Sequence, residues 1–250
     1  MKLYANLPLL LSAGLLSACS SVVPVSTVTS NPEQYMAQNF ARANLPPQVL
    51  AALPKAAPAR FARMEVQREV TTEDNSGKKQ TSSSKVTLID QGNGLYSRRT
   101  ELSRNDIPFA NSFGLVYQGM LPLRVQTVML SAANTGNIVE AKNVSRIDPV
   151  PTQAGETMLF KSSQGYSQQI ANFDDADRSC SFKRSFPAAE LNAKLEGQAL
   201  ELDCEYSFRN VLEGRGTYVM LQHYGVALET EYRNTNTKNV FKVLDVTFKN

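Results

Sequence analysis

Chemistry in this chain would have to come from few side chains: three cysteines (Cys19, Cys180, Cys204), one histidine (His223) and the acidic run Asp174, Asp175, Asp177. A Ser–His–Asp triad would need His223, within "YVMLQHYGV". It is out of phase with Tyr218, Met220 and Tyr224, which puts it on the other face of a strand, in a structural role. The aspartates of "DDAD" have oxygen ligands suited to Ca²⁺, but the turn glycine and distal glutamate of an EF-hand are missing. They read as a solvated acidic loop beside Arg178. The chain has 23 acidic residues, so carboxylate pairs arise by chance and no cue selects one for glycoside hydrolysis. No G-x-S-x-G, H-E-x-x-H or G-x-x-x-x-G-K-[ST] occurs. The expectation is a protein that is not an enzyme, with no catalytic residues, no metal site and no cofactor.

Cys19 has a different chemistry in prospect. Lys2 precedes a mostly apolar stretch from Leu9 to Leu16, then the small residues Ser17 and Ala18. This is the order of a secretory signal, and the apolar run is short of the about 20 residues a membrane span needs. "LSAC" (Leu16 to Cys19) resembles the lipobox of bacterial lipoprotein precursors. The resemblance covers residues 1–19 and implies cleavage before Cys19, a diacylglyceryl group on its thiol and an acylated amine. Two or three acyl chains anchor firmly where one does not. Ser20 stands where Asp would retain a Gram-negative lipoprotein in the inner membrane, so the expected address is the outer membrane, facing the periplasm. With Cys19 lipidated, Cys180 and Cys204 remain. In an exported chain they are expected to form a disulfide, closing a loop of about 25 residues with a chain-entropy value of roughly 3–4 kcal/mol.

The 250 residues carry a formal charge of +3 with no long Lys/Arg run, which gives no nucleic-acid surface. The organisation expected is a signal peptide at 1–18, a lipidated cysteine, flexible tether and short helices at 19–59, and one antiparallel β domain at 60–250. "SSVVPVSTVT" (20–29) lacks charge and helical periodicity and reads as the spacer. "SNPE" (30–33) reads as a capping box opening a helix over 31–44, with Ser30 as cap, and a second helical run spans 48–53. From Arg60 the period changes to two. Met64, Val66 and Val70 share a face that Arg68 interrupts once.

Further strands follow, with turns at "EDNSGKK" and "QGNG". One long apolar face takes in Phe113, Leu115, Tyr117, Leu121, Leu123, Val125 and Met129, and Pro122 marks a bend or edge within it. At 200–208 alternation is nearly perfect, with Leu200, Leu202, Cys204, Tyr206 and Phe208 on one side. Cys180 shares a face with Phe182 and Phe186, so both cysteines lie on apolar faces. "PAAELNAKLEG" (187–197) reads as a short helix, and strands near 216–233 and 239–249 end the chain. The fold class expected is mainly β: a meander of nine to eleven strands forming a curved sheet or half-barrel with a few short helices, a complete barrel or sandwich being the other options.

Two functions fit these features. The first is a non-catalytic accessory or interaction module in cell-envelope assembly, with an envelope protein as partner. The second is a carrier holding a lipid or acyl chain in an apolar hollow. A hydrolase with an unrecognised site is a weaker third. The fate of the Phe113–Met129 face separates the first two. Helices packed over it favour the interaction module; an open hollow favours the carrier.

Overall fold

A computed structural model describes residues 23–250. The expected signal and lipobox, with Cys19, lie outside the described residues. Twelve antiparallel strands follow three short helices. The helices are α1 (Val25–Ser30), α2 (Pro32–Asn39) and α3 (Pro47–Ala52). The first six strands are β1 (Arg63–Asp74), β2 (Lys79–Asp90), β3 (Leu95–Arg104), β4 (Ile107–Tyr117), β5 (Leu121–Met129) and β6 (Val139–Ile147). The others are β7 (Thr157–Tyr166), β8 (Asp174–Pro187), β9 (Gln198–Phe208), β10 (Val211–Leu221), β11 (Val226–Arg233) and β12 (Thr237–Lys249). Each strand pairs with its neighbour in sequence, and β1 pairs with β12, so the meander closes into a barrel. Closure gives every described strand a partner on each side, though parts of the β5, β6, β11 and β12 edges lie outside the ladders. The ring has two thin places. Only Arg124↔Glu140 and Val125↔Val139 pair β5 with β6, and three residue pairs join β11 to β12.

Both faces of the sheet are buried where the helices lie. Phe113, Leu115 and Tyr117 of β4 join one apolar cluster, with Val28, Met36, Phe40 and Val49 from the helical segment. The intervening Val116 belongs to a second cluster, with Met64, Val66, Leu88 and Tyr96. The ring of Phe113 stacks on Phe40 at 5.7 Å and meets Tyr35 edge-on at 5.2 Å. The Tyr35 hydroxyl donates to Gln126 Oε1 at 2.6 Å, and Ser97 Oγ donates to the Phe40 carbonyl at 2.6 Å. The face read from the sequence as the deciding one is therefore covered by helices.

Several local expectations change. Val25–Ser30 is helical with Val25 and Val28 buried, so the segment read as a spacer is partly folded structure. Ser30 ends that helix and donates to the Thr27 carbonyl at 3.1 Å. The cap of α2 is instead Asn31, whose side chain accepts from the Gln34 N–H at 3.0 Å. In β5 a bulge leaves the chain neighbours Leu123 and Arg124 both buried, with Arg124 opposite Leu115 on the helix-covered face. Beyond it Gln126 and Val128 are buried, while Val125 and Met129 turn away from the Phe113 face. The 187–197 helix reduces to one 3₁₀ turn, Ala188–Glu190, because Ala188 N–H bonds across the loop to the Gly197 carbonyl at 2.9 Å. The single strand expected over 216–233 is two, β10 and β11, folded back at Gln222–Gly225, where Gly225 has φ +66°.

Candidate functional site

The sequence-predicted residues do not converge. Cys180 and Cys204 stand opposite each other on β8 and β9 and are joined by a disulfide, both buried. His223 lies in the β10–β11 turn rather than in a strand, its ring edge-on to Tyr224 and its Nε2 3.6 Å from Glu196. Asp174, Asp175 and Asp177 open β8 instead of forming a loop; Asp174 pairs with Arg209 at 2.7 Å and Asp177 with Lys161 at 3.7 Å. Among the described residues no group of His, Cys, Asp and Glu is placed to hold a metal ion, and no helix is long and apolar enough to cross a membrane.

The barrel interior holds a constellation that spacing did not reveal. Side chains directly opposite each other in a ladder share a face. Arg68 stands opposite Ser84 and Val243, Arg98 opposite Leu88 and Gly114, Tyr218 opposite Glu229, and Arg178 opposite Tyr206. Following the ladders from strand to strand puts all of these on one face of the ring. Arg68 is 7% exposed; its Nε donates to Ser84 Oγ at 3.1 Å and its Nη1 to the Glu229 carbonyl at 3.3 Å, with the guanidinium 4.7 Å above the Phe241 ring. The guanidinium of Arg178, equally buried, lies 4.1 Å from the Tyr206 ring and 5.3 Å from Tyr218. Tyr218 donates to Glu229 Oε1 at 2.9 Å.

Burial sets the electrostatics here. It pushes the Arg68 pKa down to about 10; the Glu229 carboxylate opposes that fall and Arg98 adds to it. Burial also carries Tyr218 up to about 12, helped by Glu229, and raises Tyr206 further. Three buried polar atoms have no hydrogen-bond partner among the described residues: Arg98 Nε, Arg178 Nη1 and the Tyr206 hydroxyl. Among the described residues no ion pair links the Glu229 carboxylate to Arg68, Arg98 or Arg178; it accepts from Tyr218 instead. Beside them is a cavity of about 200 Å³, bounded by Arg68, Arg98, Thr100, Ser112 and Glu229 on its polar side. Val86, Leu88, Leu102, Leu228 and Phe241 supply its apolar side. The one sequence signal of this site was Arg68 interrupting an apolar face.

A second buried charge group sits at the thin β5–β6 join. Glu140 accepts from Arg124 through one oxygen and from Lys142 through the other at 2.8 Å. Arg124 Nε also donates to the Asn39 carbonyl at the end of α2 at 2.8 Å, and Lys142 Nζ to the Ser167 carbonyl at 2.9 Å. These side chains hold the join and the helix together, a structural duty.

No protein-family model matches the chain, and no curated protein matches it. Among solved structures, a β-barrel-like protein of domain of unknown function DUF1849 from Brucella abortus aligns with 77% of this chain and 100% of its own. The identity is 7% and the TM-score 0.42, a likeness of fold alone.

Proposed function

We propose that this chain is a lipid-anchored, non-catalytic interaction module of a bacterial cell envelope, held at the outer membrane and facing the periplasm. One observation carries the reading. In a closed up-and-down meander, the turns that follow odd-numbered strands all lie at one end. Of nine exposed large apolar side chains among the described residues, eight belong to that end, Leu244 being the exception. Ile170 is 93% exposed, Ile107 70% and Val211 58%, on three different hairpins. Large apolar groups gathered at one end of a molecule support a contact surface there. The described chain begins at the same end: Thr135 N–H bonds to the Val23 carbonyl at 2.9 Å, within the β5–β6 connection. The four residues from Cys19 to Val23 span at most about 14 Å. An acylated Cys19 would hold this apolar end close to the lipid surface, where an envelope partner is met. The carrier reading has less support, since helices occupy the face over which its hollow was expected.

The experiment is in-cell photocrosslinking from probes at Ile170, Val211 and, as control, Leu244. Discrete adducts from the first two and none from the third are expected. Equal or absent crosslinking at all three removes the assignment of this face. Separately, Cys19→Ala is expected to leave an uncleaved or unlipidated precursor. Normal processing and membrane retention of that variant would sink the anchor.

A further inference from the structure

We infer that the arginine-lined cavity inside the barrel binds a small amphiphilic anion: a carboxylate or phosphate head on a short apolar group. The argument begins with charge. Arg68 and Arg178 are buried and Arg98 is half-buried, and charges taken out of water need partners. Among the described residues no ion pair neutralises any of the three guanidinium groups; Arg68 reaches only the backbone carbonyl of Glu229, whose carboxylate accepts from Tyr218. Hydrogen-bonding capacity is left over on the cavity itself, at Arg98 Nε. Guanidinium groups are the side chains best shaped to bind planar or tetrahedral oxyanions through paired N–H donors. The Thr100 and Ser112 hydroxyls stand on the same cavity. Opposite Arg98 is Gly114, which brings no side chain: even a Cβ there would lie 3.7 Å from Arg98 Nη2. That is ordinary van der Waals contact, and the Arg98 side chain also lines the cavity.

Shape and lining narrow the ligand. A volume of about 200 Å³ lies below the roughly 300–1,000 Å³ of pockets that take drug-sized ligands. That admits an oxyanion with a few carbons, not a nucleotide or a whole lipid. Phe241, Leu102, Leu228 and Val86 offer the carbon portion an apolar wall. An inorganic ion would leave that wall facing water. This inference rests on the interior and is independent of the role proposed for the hairpin ends.

The test is isothermal titration of the full chain in a nonionic detergent with n-butyl phosphate, butyrate and inorganic phosphate. At least one of the two butyl compounds is expected to bind saturably and at least tenfold more tightly than inorganic phosphate. Whichever binds better identifies the head as phosphate ester or carboxylate. Arg98→Gln is expected to weaken binding at least tenfold with an unchanged circular dichroism spectrum. Ser112→Leu, which fills the cavity without removing charge, should do the same and serves if the arginine variant fails to fold. The proposal is overturned by absence of saturable binding of both butyl probes, by inorganic phosphate binding as tightly as they do, or by full binding in a folded variant.

Discussion

At Gly216 the inner face of β10 passes beneath the ring of Tyr206. A Cβ there would lie 2.6 Å from the Tyr206 hydroxyl and 3.1 Å from the Glu231 carbonyl. The aromatic layer next to the arginines thus depends on a missing side chain. Gly216→Ala is expected to destabilise by about 1–3 kcal/mol, the usual range for overpacking, read as a lower thermal midpoint. Gly136→Ala is the control, since the nearest atom to its Cβ would be 3.7 Å away. A midpoint unchanged at both sites would show that Tyr206 can move aside. Glu140 is the complementary case, a residue whose loss leaves charge behind. The side chains of Arg124, Lys142 and Glu140 are 10%, 10% and 7% exposed. Glu140→Gln is expected to cost about 3–5 kcal/mol in denaturant unfolding, because two cations lose their shared partner. The exposed pair Arg215–Glu205 at 2.9 Å gives the contrast; Arg215→Gln should cost less than about 1 kcal/mol.

At the scale of elements, α2 is tied to the barrel by an ion chain from Glu33 to Arg63, Glu65 and Lys85. Hydrogen bonding to Arg63 holds Glu33 below its ordinary 4.5, and bonding to Lys85 does the same for Glu65. Carboxylates depressed in the folded state add stability that is present above their unfolded value and lost as pH falls through the folded one. The docking of α2 should therefore be level from pH 7 to 5 and weaken below about 4.5. Hydrogen exchange of the α2 amides follows this directly. If protection is the same at pH 3.5 and 6, the chain has no part in docking. The same strands show what sequence could convey. Alternation at 200–208 correctly placed Leu202 and Cys204 inward, and the shared apolar setting of Cys180 anticipated their bond, because period two is a local property. The β5 face was misassigned beyond Leu123 because a bulge adds one residue and reverses every later side chain. The α1 helix, six residues without charged groups, owes its form to burial of Val25 and Val28 rather than to propensity. The arginine cluster was least legible of all: its members come from β1, β3 and β8, and only ring closure brings them together.

For the whole molecule, closure is what separates an interior able to hold charge from a sheet open to solvent, yet the ring is unevenly joined. The β1–β12 ladder runs from Arg63↔Lys249 to Asp74↔Thr237, and the β8–β9 ladder carries the disulfide at its middle. The β5–β6 and β11–β12 joins have two and three residue pairs. Opening free energies follow local hydrogen bonding and burial, so these joins should open before the rest. Native-state hydrogen exchange is expected to give β6 amides facing β5 the weakest strand protection and β8–β9 amides the strongest. Cysteines at Val125 and Val139, a directly paired couple across the thin join, supply the causal test. Their disulfide should slow exchange throughout β5 and β6. A cross-link at Thr100 and Ser112, paired in the β3–β4 ladder, should leave those two strands unaffected. If both cross-links act alike, or if protection is uniform round the ring, the barrel opens as one unit.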